Sequence, residues 1–211
     1  MKLAAVVQAR MSSTRFPGKV LHRVRHRPLL EYVLERVRCS RNIDHLIVST
    51  SLDPTDALIA DYCAEHKVEC FRGTRDDVAG RFLATCHAYD LDAFVRVCGD
   101  SPLLDPALLD QGISTFLQAE VDLVTNCFPR TFPKGKILEI VKASTLAGVD
   151  VSNISQYFKE HVMPLFYSDP DKYKIVNIES NSGDQSKLDY CVDTMDDLRR
   201  LENFQEPSEG G

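Results

Sequence analysis

Three cations, Arg10, Arg15 and Lys19, follow the apolar run Leu3–Val7, and the residues among them include Ser12, Ser13, Thr14 and Gly18. Fixed positive charge, hydroxyl donors and a glycine that lets backbone N–H groups approach oxygens together make a cradle for a polyphosphate. The loop is not a Walker A loop, because that pattern needs a glycine where Ser13 stands and a hydroxyl where Val20 stands. The G-x-G-x-x-G dinucleotide turn is absent as well. A solvated basic loop is the competing reading. Position favours a ligand, since in open α/β sheets the binding crevice lies beyond the carboxyl ends of the parallel strands.

The same rule adds two carboxylates. Asp100, in "GDSPLLDP", follows a glycine at the end of the apolar run Ala93–Cys98, and Asp193, in "CVDTMDDL", ends another apolar run. A carboxylate beside a bound triphosphate points to a bridging Mg²⁺, which takes oxygen ligands from one or two carboxylates and from phosphate. Each Asp has an alternative role as the N-terminal signal of the next helix. Asp105, directly before Pro106, fits that capping role better than Asp100 does.

The elements that must carry these residues alternate along the chain. Leu3–Val7, His45–Thr50, Val68–Arg72, Ala93–Cys98 and Asp122–Asn126 read as short strands, most of them apolar on both faces as in a covered parallel sheet. Helical patterns start at Pro28, Pro54, Asp76 and Pro106, with Asp53 and Asp105 placed to cap two of them. Repeated strand, helix and strand predict an α/β fold with a mostly parallel sheet flanked by helices. After Asn126 the rhythm changes. Ile137–Lys142, residues 173–180 and Leu188–Thr194 read as strands, "ASTLAGV" and "QYFKEHVMPLFY" as helices, and a last helix starts at Met195. Antiparallel strands and a helical excursion over 143–167 are therefore expected within one domain, residues 1–204. The tail 205–211 is expected to be disordered or a linker.

A chain of 211 residues, 44% hydrophobic and 27% charged, can bury a sizeable core. No apolar run of about 18 residues is present and no cleavage-site pattern follows "MKLAAVVQAR", so a cytoplasmic protein without a membrane partner is expected. The net charge of -6 divides into +8 over residues 1–41 and -14 over the rest. An acidic whole with one basic end favours a concentrated anion site over a nucleic-acid groove. Seven cysteines without a C-x-x-C pair suit reduced, mostly buried thiols.

The segments "QARMSSTRFPGKVL", "FRGTRDDVAGRF", "VRVCGDSPLLDP", "TNCFPRTFPKG", "KEHVMPLFY" and "DYCVDTMDDL" occur in a recognisable order and spacing. From residue 3 to 204 the chain resembles the cytidylyltransferase family typified by spore coat polysaccharide biosynthesis protein F, a relative of the acylneuraminate and 3-deoxy-manno-octulosonate cytidylyltransferases. The resemblance implies a Rossmann-like nucleotide-diphospho-sugar transferase fold. The implied reaction has a sugar hydroxyl attack the α-phosphorus of CTP and release pyrophosphate, for surface polysaccharide biosynthesis. By motif match, Ala9, Arg10, Arg15 and Lys19 would hold the phosphates, Arg72 and Gly73 would line base and ribose, and Asp100 and Asp193 would carry Mg²⁺. Lys19, Arg15 and Asp100 would stand nearest the chemistry. Glu139 and His161 would face the sugar or sugar-acid acceptor, although His161 reads equally well as a packed helix residue. A homodimer through 143–167 is also implied, where Leu146, Val149, Phe158 and Met163 look exposed.

Some positions depart from the family pattern. Relatives tend to read P-D-G-L-D-V-E where this chain reads "PKGKILE", so Lys134 and Ile137 replace two acids and only Glu139 keeps its place. That change implies a more anionic acceptor or a partial loss of activity. Ser12 replaces a usual glycine, a strained choice if the position needs positive φ, and Phe16 replaces a usual leucine. Two other readings stand beside the cytidylyltransferase: a metal-dependent glycosyltransferase, which would want D-x-D where "GDSP" has one Asp, and a degenerate nucleotide-binding subunit.

Overall fold

The structure, a computed structural model, describes residues 1–203. The expected tail at 205–211 lies outside the described residues. In chain order the first elements are β1 (Leu3–Gln8), β2 (Arg23–Val24), β3 (Arg27–Pro28), α1 (Leu29–Arg38), β4 (His45–Ser51), α2 (Ala57–Glu65), β5 (Glu69–Gly73), α3 (Val78–Tyr89) and β6 (Ala93–Cys98). They are followed by α4 (Pro106–Gln118), β7 (Leu123–Thr125), β8 (Glu139–Lys142), α5 (Ala143–Ala147), α6 (Gln156–Glu160), α7 (Pro164–Tyr167), β9 (Ile175–Asn177) and α8 (Met195–Glu202).

Seven strands form one mixed sheet in the order β5-β4-β1-β6-β8-β7-β9. Those from β5 to β6 are parallel, β8 runs antiparallel to both neighbours, and β9 is parallel to β7. The chain leaves β1 toward β4 and β5, then returns to β6 on the other side of β1. That reversal opens a crevice at the carboxyl ends of β1 and β6. Gln8 is level with both Ser49 and Cys98, so the loops after three parallel strands emerge along one edge.

Alternation of side chains explains why these strands read as continuous apolar runs. Leu3, Ala5 and Val7 point into one core with Leu30, Val33 and Leu34 of α1 and Leu109 and Ile113 of α4. Ala4, Val6 and Ile47 point the other way, against Phe82 of α3, Leu146 of α5 and Phe166 of α7. A third, smaller cluster joins Phe16, Val24, Leu29, Val192 and Leu198, so the ring at position 16 ties the first loop to the segment entering α8.

The second half differs from expectation in three places. Leu188–Thr194 is not a strand: its long-range backbone bonds go twice to Lys134 and once to Asp100, both in loops, which makes an isolated bridge rather than a ladder. "QYFKEHVMPLFY" is two short helices, α6 and α7, broken at His161–Met163 where Pro164 opens the second; proline cannot donate the bond that would continue the first. Leu146 and Met163 are buried in the chain's own second core rather than exposed, and Val149 and Phe158 are half-buried. Arg23–Pro28 adds an unforeseen β2–β3 hairpin, with Arg25 at φ 55. Among the described residues no helix is long and apolar enough to cross a membrane.

Candidate active site

The first loop is held at both ends. At its start, Ala9 donates its N–H to the Ser49 carbonyl at 3.2 Å and Met11 donates to Asp56 Oδ1 at 2.6 Å. Asp56 is fully buried and also accepts from the Ser51 N–H at 3.2 Å, which fastens the loop to the end of β4. At its close, Gly18 takes φ +74 and donates to the Met11 carbonyl at 2.8 Å. The left-handed residue is thus Gly18, whereas Ser12 has no positive φ and replaces glycine without that strain. A single 3₁₀ turn, Lys19–Leu21, follows and turns Lys19 inward to 7% exposure.

The carboxylates arrive from β6 and from the segment before α8. Gly99 donates to the Gln8 carbonyl at 2.9 Å, and a Cβ there would come within 3.0 Å of that oxygen. A side chain there would crowd the end of β6 against β1, and Asp100 comes next. Val192 donates to the Asp100 carbonyl at 2.9 Å, which brings Asp193 alongside. Lys19 Nζ lies 2.7 Å from Asp100 Oδ2 and 2.9 Å from Asp193 Oδ1. Arg15 reaches Asp193 Oδ2 at 2.8 Å, and Lys134 bridges that oxygen at 3.1 Å to Asp189 at 3.0 Å.

Burial disfavours charge on all three inner groups, and pairing overrides it. The Lys19 ammonium is desolvated, yet Asp100 and then Asp193 raise its pKa. Lys134 is raised likewise by Asp189 and Asp193. For Asp193, burial pushes upward, but bonds from Lys19 and Lys134 lower its carboxyl to about 2. A carboxyl depressed below its unfolded value contributes stability above that value and loses it as pH falls through the folded one. Asp193→Asn should therefore cost about 2 kcal/mol at neutral pH, and the gap from wild type should narrow as pH falls from about 4 toward 2. Urea unfolding of both proteins across that range checks it; a gap independent of pH contradicts the pairing.

Lys19, Asp100 and Asp193 share the wall of a cavity of about 240 Å³ with Arg10 and Arg15. Five cations line it against three carboxylates, because Arg81 and Arg96 also reach the wall. The surplus of positive charge suits a polyanion. Arg10 pairs with Glu160 at 3.4 Å, and His161, exposed, stands on the wall beside Glu160. Ala9 contributes surface rather than a donor, its N–H being engaged with Ser49. Other expected residues lie off the wall. Arg72 donates to the carbonyls of Ser51 at 3.0 Å and Asp53 at 2.9 Å, and the Gly73 carbonyl accepts from Leu52 at 2.8 Å. Glu139, 3% exposed, sits behind Arg96, bonded to it and to the Tyr167 hydroxyl at 3.1 Å.

Asp100 and Asp193 gather oxygens around one cationic atom. That donor set fits a divalent ion that takes its remaining ligands from phosphate and water. Among the described residues no group of three or more His, Cys, Asp or Glu could hold a metal, which rules out an all-protein cage there. Cys98 lies on the cavity wall, but burial raises its thiol to about 11, so it is no thiolate nucleophile at neutral pH. Asp56, Arg81 and Arg96 are the site residues that sequence reasoning missed. A charged residue inside the apolar strand "AFVRVC" was the one available signal.

Comparison with known proteins agrees with this architecture. Spore coat polysaccharide biosynthesis protein SpsF of Bacillus subtilis is 31% identical over 207 residues, 93% of this chain and 83% of that protein. The 3-deoxy-manno-octulosonate cytidylyltransferase of Trichlorobacter lovleyi is 34% identical over 119 residues, which are 56% of this chain and 46% of that enzyme. A solved cytidylyltransferase from Leptospira borgpetersenii superposes with a TM-score of 0.91 at 32% identity, covering 96% of this chain and 85% of that one. The Rossmann-like α/β fold is thus the expected one. Since the cytidylyltransferase family model also matches residues 4–207, nearly the whole length, this chain belongs to the cytidylyltransferase family.

Proposed function

We propose that the chain is a Mg²⁺-dependent transferase that couples CTP to a sugar or sugar acid and releases pyrophosphate, for the synthesis of a surface polysaccharide. The observation that carries this is the convergence of Arg10, Arg15 and Lys19 with Asp100 and Asp193 on one cavity at the carboxyl edge of the parallel strands. The relatives' names support the nucleotide and a glycan product.

In this reading Asp100 and Asp193 hold the ion, which when bound neutralises charge on the phosphate oxygens. Arg10, Arg15 and Lys19 bind those oxygens and hold the α-phosphorus open to attack. A hydroxyl of the acceptor forms the new bond to that phosphorus as the bond to pyrophosphate breaks. Fixed charges do most of this work, because phosphoryl transfer is catalysed largely by positioning and neutralisation. Arg72 and Gly73 serve base and ribose through the loop they anchor. Glu139 acts on the acceptor side through Arg96, and His161 faces the acceptor from the wall. The transferase works in the cytoplasm, and a homodimer through 143–167 rests on the resemblance.

The degenerate reading is favoured by one contact, Lys134 seated on Asp193. Pyrophosphate release with CTP, Mg²⁺ and a panel of sugars and sugar acids separates the two. The expected result is release that depends on CTP, on Mg²⁺ and on one class of acceptor. Bound CTP with no release for any acceptor would favour the degenerate subunit.

A further inference from the structure

The two candidate metal ligands are both paired with one of this chain's own cations. Lys19, its side chain 9% exposed, joins Asp100 Oδ2 to Asp193 Oδ1. Arg15 and Lys134 both sit on the other oxygen of Asp193, Oδ2. Resting on the metal and nucleotide roles proposed above, we propose that Lys19 is a displaceable internal counter-ion. In the free enzyme its ammonium holds the carboxylate oxygens a divalent ion needs, and the ion gains them only when nucleotide phosphates draw that ammonium away.

An ammonium and a divalent cation cannot share two oxygens at contact distance, because the like charges repel in a partly desolvated site. Without some cation the two carboxylates would face each other at close range, which disfavours ionisation of both. A lysine meets both needs, since its compact charge rides on a flexible four-carbon stem and can be re-aimed. Lys134 is less free to move. Its ammonium is also held by Asp189 at 3.0 Å, and its backbone bonds Leu188 at 2.9 Å and Tyr190 at 2.8 Å. Lys134 therefore keeps the outer oxygen of Asp193 while Lys19 exchanges on the inner one. The phosphates that would receive Lys19 are placed by this proposal on the same wall, which Arg10 and Arg15 also line. Metal and nucleotide then raise each other's affinity for the protein, and by linkage to the same extent.

Mn²⁺ binding to the nucleotide-free protein, followed by loss of the free-ion paramagnetic resonance signal, tests the exchange. Lys19→Met should bind Mn²⁺ at least about tenfold tighter than wild type, because the competing charge is gone. Adding Asp100→Asn to that variant should cancel the gain, and Lys19→Arg, which keeps the charge, should resemble wild type. Equal or weaker Mn²⁺ binding by Lys19→Met overturns the proposal. If that variant fails to fold, wild type decides: thermal stabilisation by Mn²⁺ alone equal to that by Mn²⁺ with CTP overturns it, and stabilisation only by the pair upholds it. The nucleotide-free measurements need neither CTP nor turnover, so they decide the exchange even for an enzyme that proves inactive on every acceptor.

Discussion

Asp100→Asn should lower metal-dependent pyrophosphate release by about 10²–10³-fold, the scale seen when one preorganised charged or hydrogen-bonding group is removed from a reacting centre. Asparagine keeps the shape of the side chain and an oxygen for Lys19 Nζ, now 2.7 Å from the aspartate. The fold should survive, because Gly99 and the Asp100 carbonyl make the local backbone bonds. What disappears is one negative charge on the carboxylate that Lys19 holds and that the proposed divalent ion would take. Steady-state kinetics against Mg²⁺, with circular dichroism on the same sample, tests the claim. Kinetics like wild type would remove Asp100 from the site.

The largest effect on stability is expected one layer behind the cavity. Glu139 is 3% exposed, and its carboxylate is satisfied by Arg96 and by the Tyr167 hydroxyl at 3.1 Å. Arg96 is in turn aligned by Gln8 Oε1 at 3.1 Å. Arg96→Leu leaves a buried carboxylate without its cation and should cost about 3–5 kcal/mol. Replacing both partners, as Arg96→Leu with Glu139→Leu, should recover much of that loss, because the penalty lies in the unpaired charge more than in the pair. Chemical denaturation of the single and double variants gives the answer. A single variant within about 1 kcal/mol of wild type would mean that Glu139 is solvated by another route.

What was legible in the sequence was local or strongly periodic. Arg10, Arg15 and Lys19 announce themselves beside an apolar strand, and Gly18 precedes the turn that aims Lys19. Asp100 and Asp193 read as strand-end or segment-end acids facing one edge, and the fold brings them together although Lys19 and Asp193 stand 174 residues apart. The covered parallel sheet follows from strands that bury both faces. The illegible parts depend on contacts with no local signature. Asp56 reads as an ordinary start of a helix, yet its carboxylate holds Met11, 45 residues away. Lys134 reads as a lost acid, and only the return of the chain at Asp189 and Asp193 shows where its charge goes. Leu188–Thr194 has the composition of a strand because Cys191 and Val192 are buried, but its backbone finds loop partners rather than a ladder. The covered face of α5 and α7 was likewise hidden, since helical spacing alone does not say whether a face meets the chain's own sheet or a second copy.

Thermal unfolding of the wild-type protein with Mg²⁺ and each of CTP, UTP, ATP and GTP tests the central claim most directly, because a ligand that binds the native state raises its midpoint according to affinity. CTP should raise the midpoint more than the other three, and the shift should fall sharply without Mg²⁺ and in Asp100→Asn. No shift with CTP, or equal shifts with all four nucleotides, would contradict a cytidylyltransferase site at Lys19, Asp100 and Asp193.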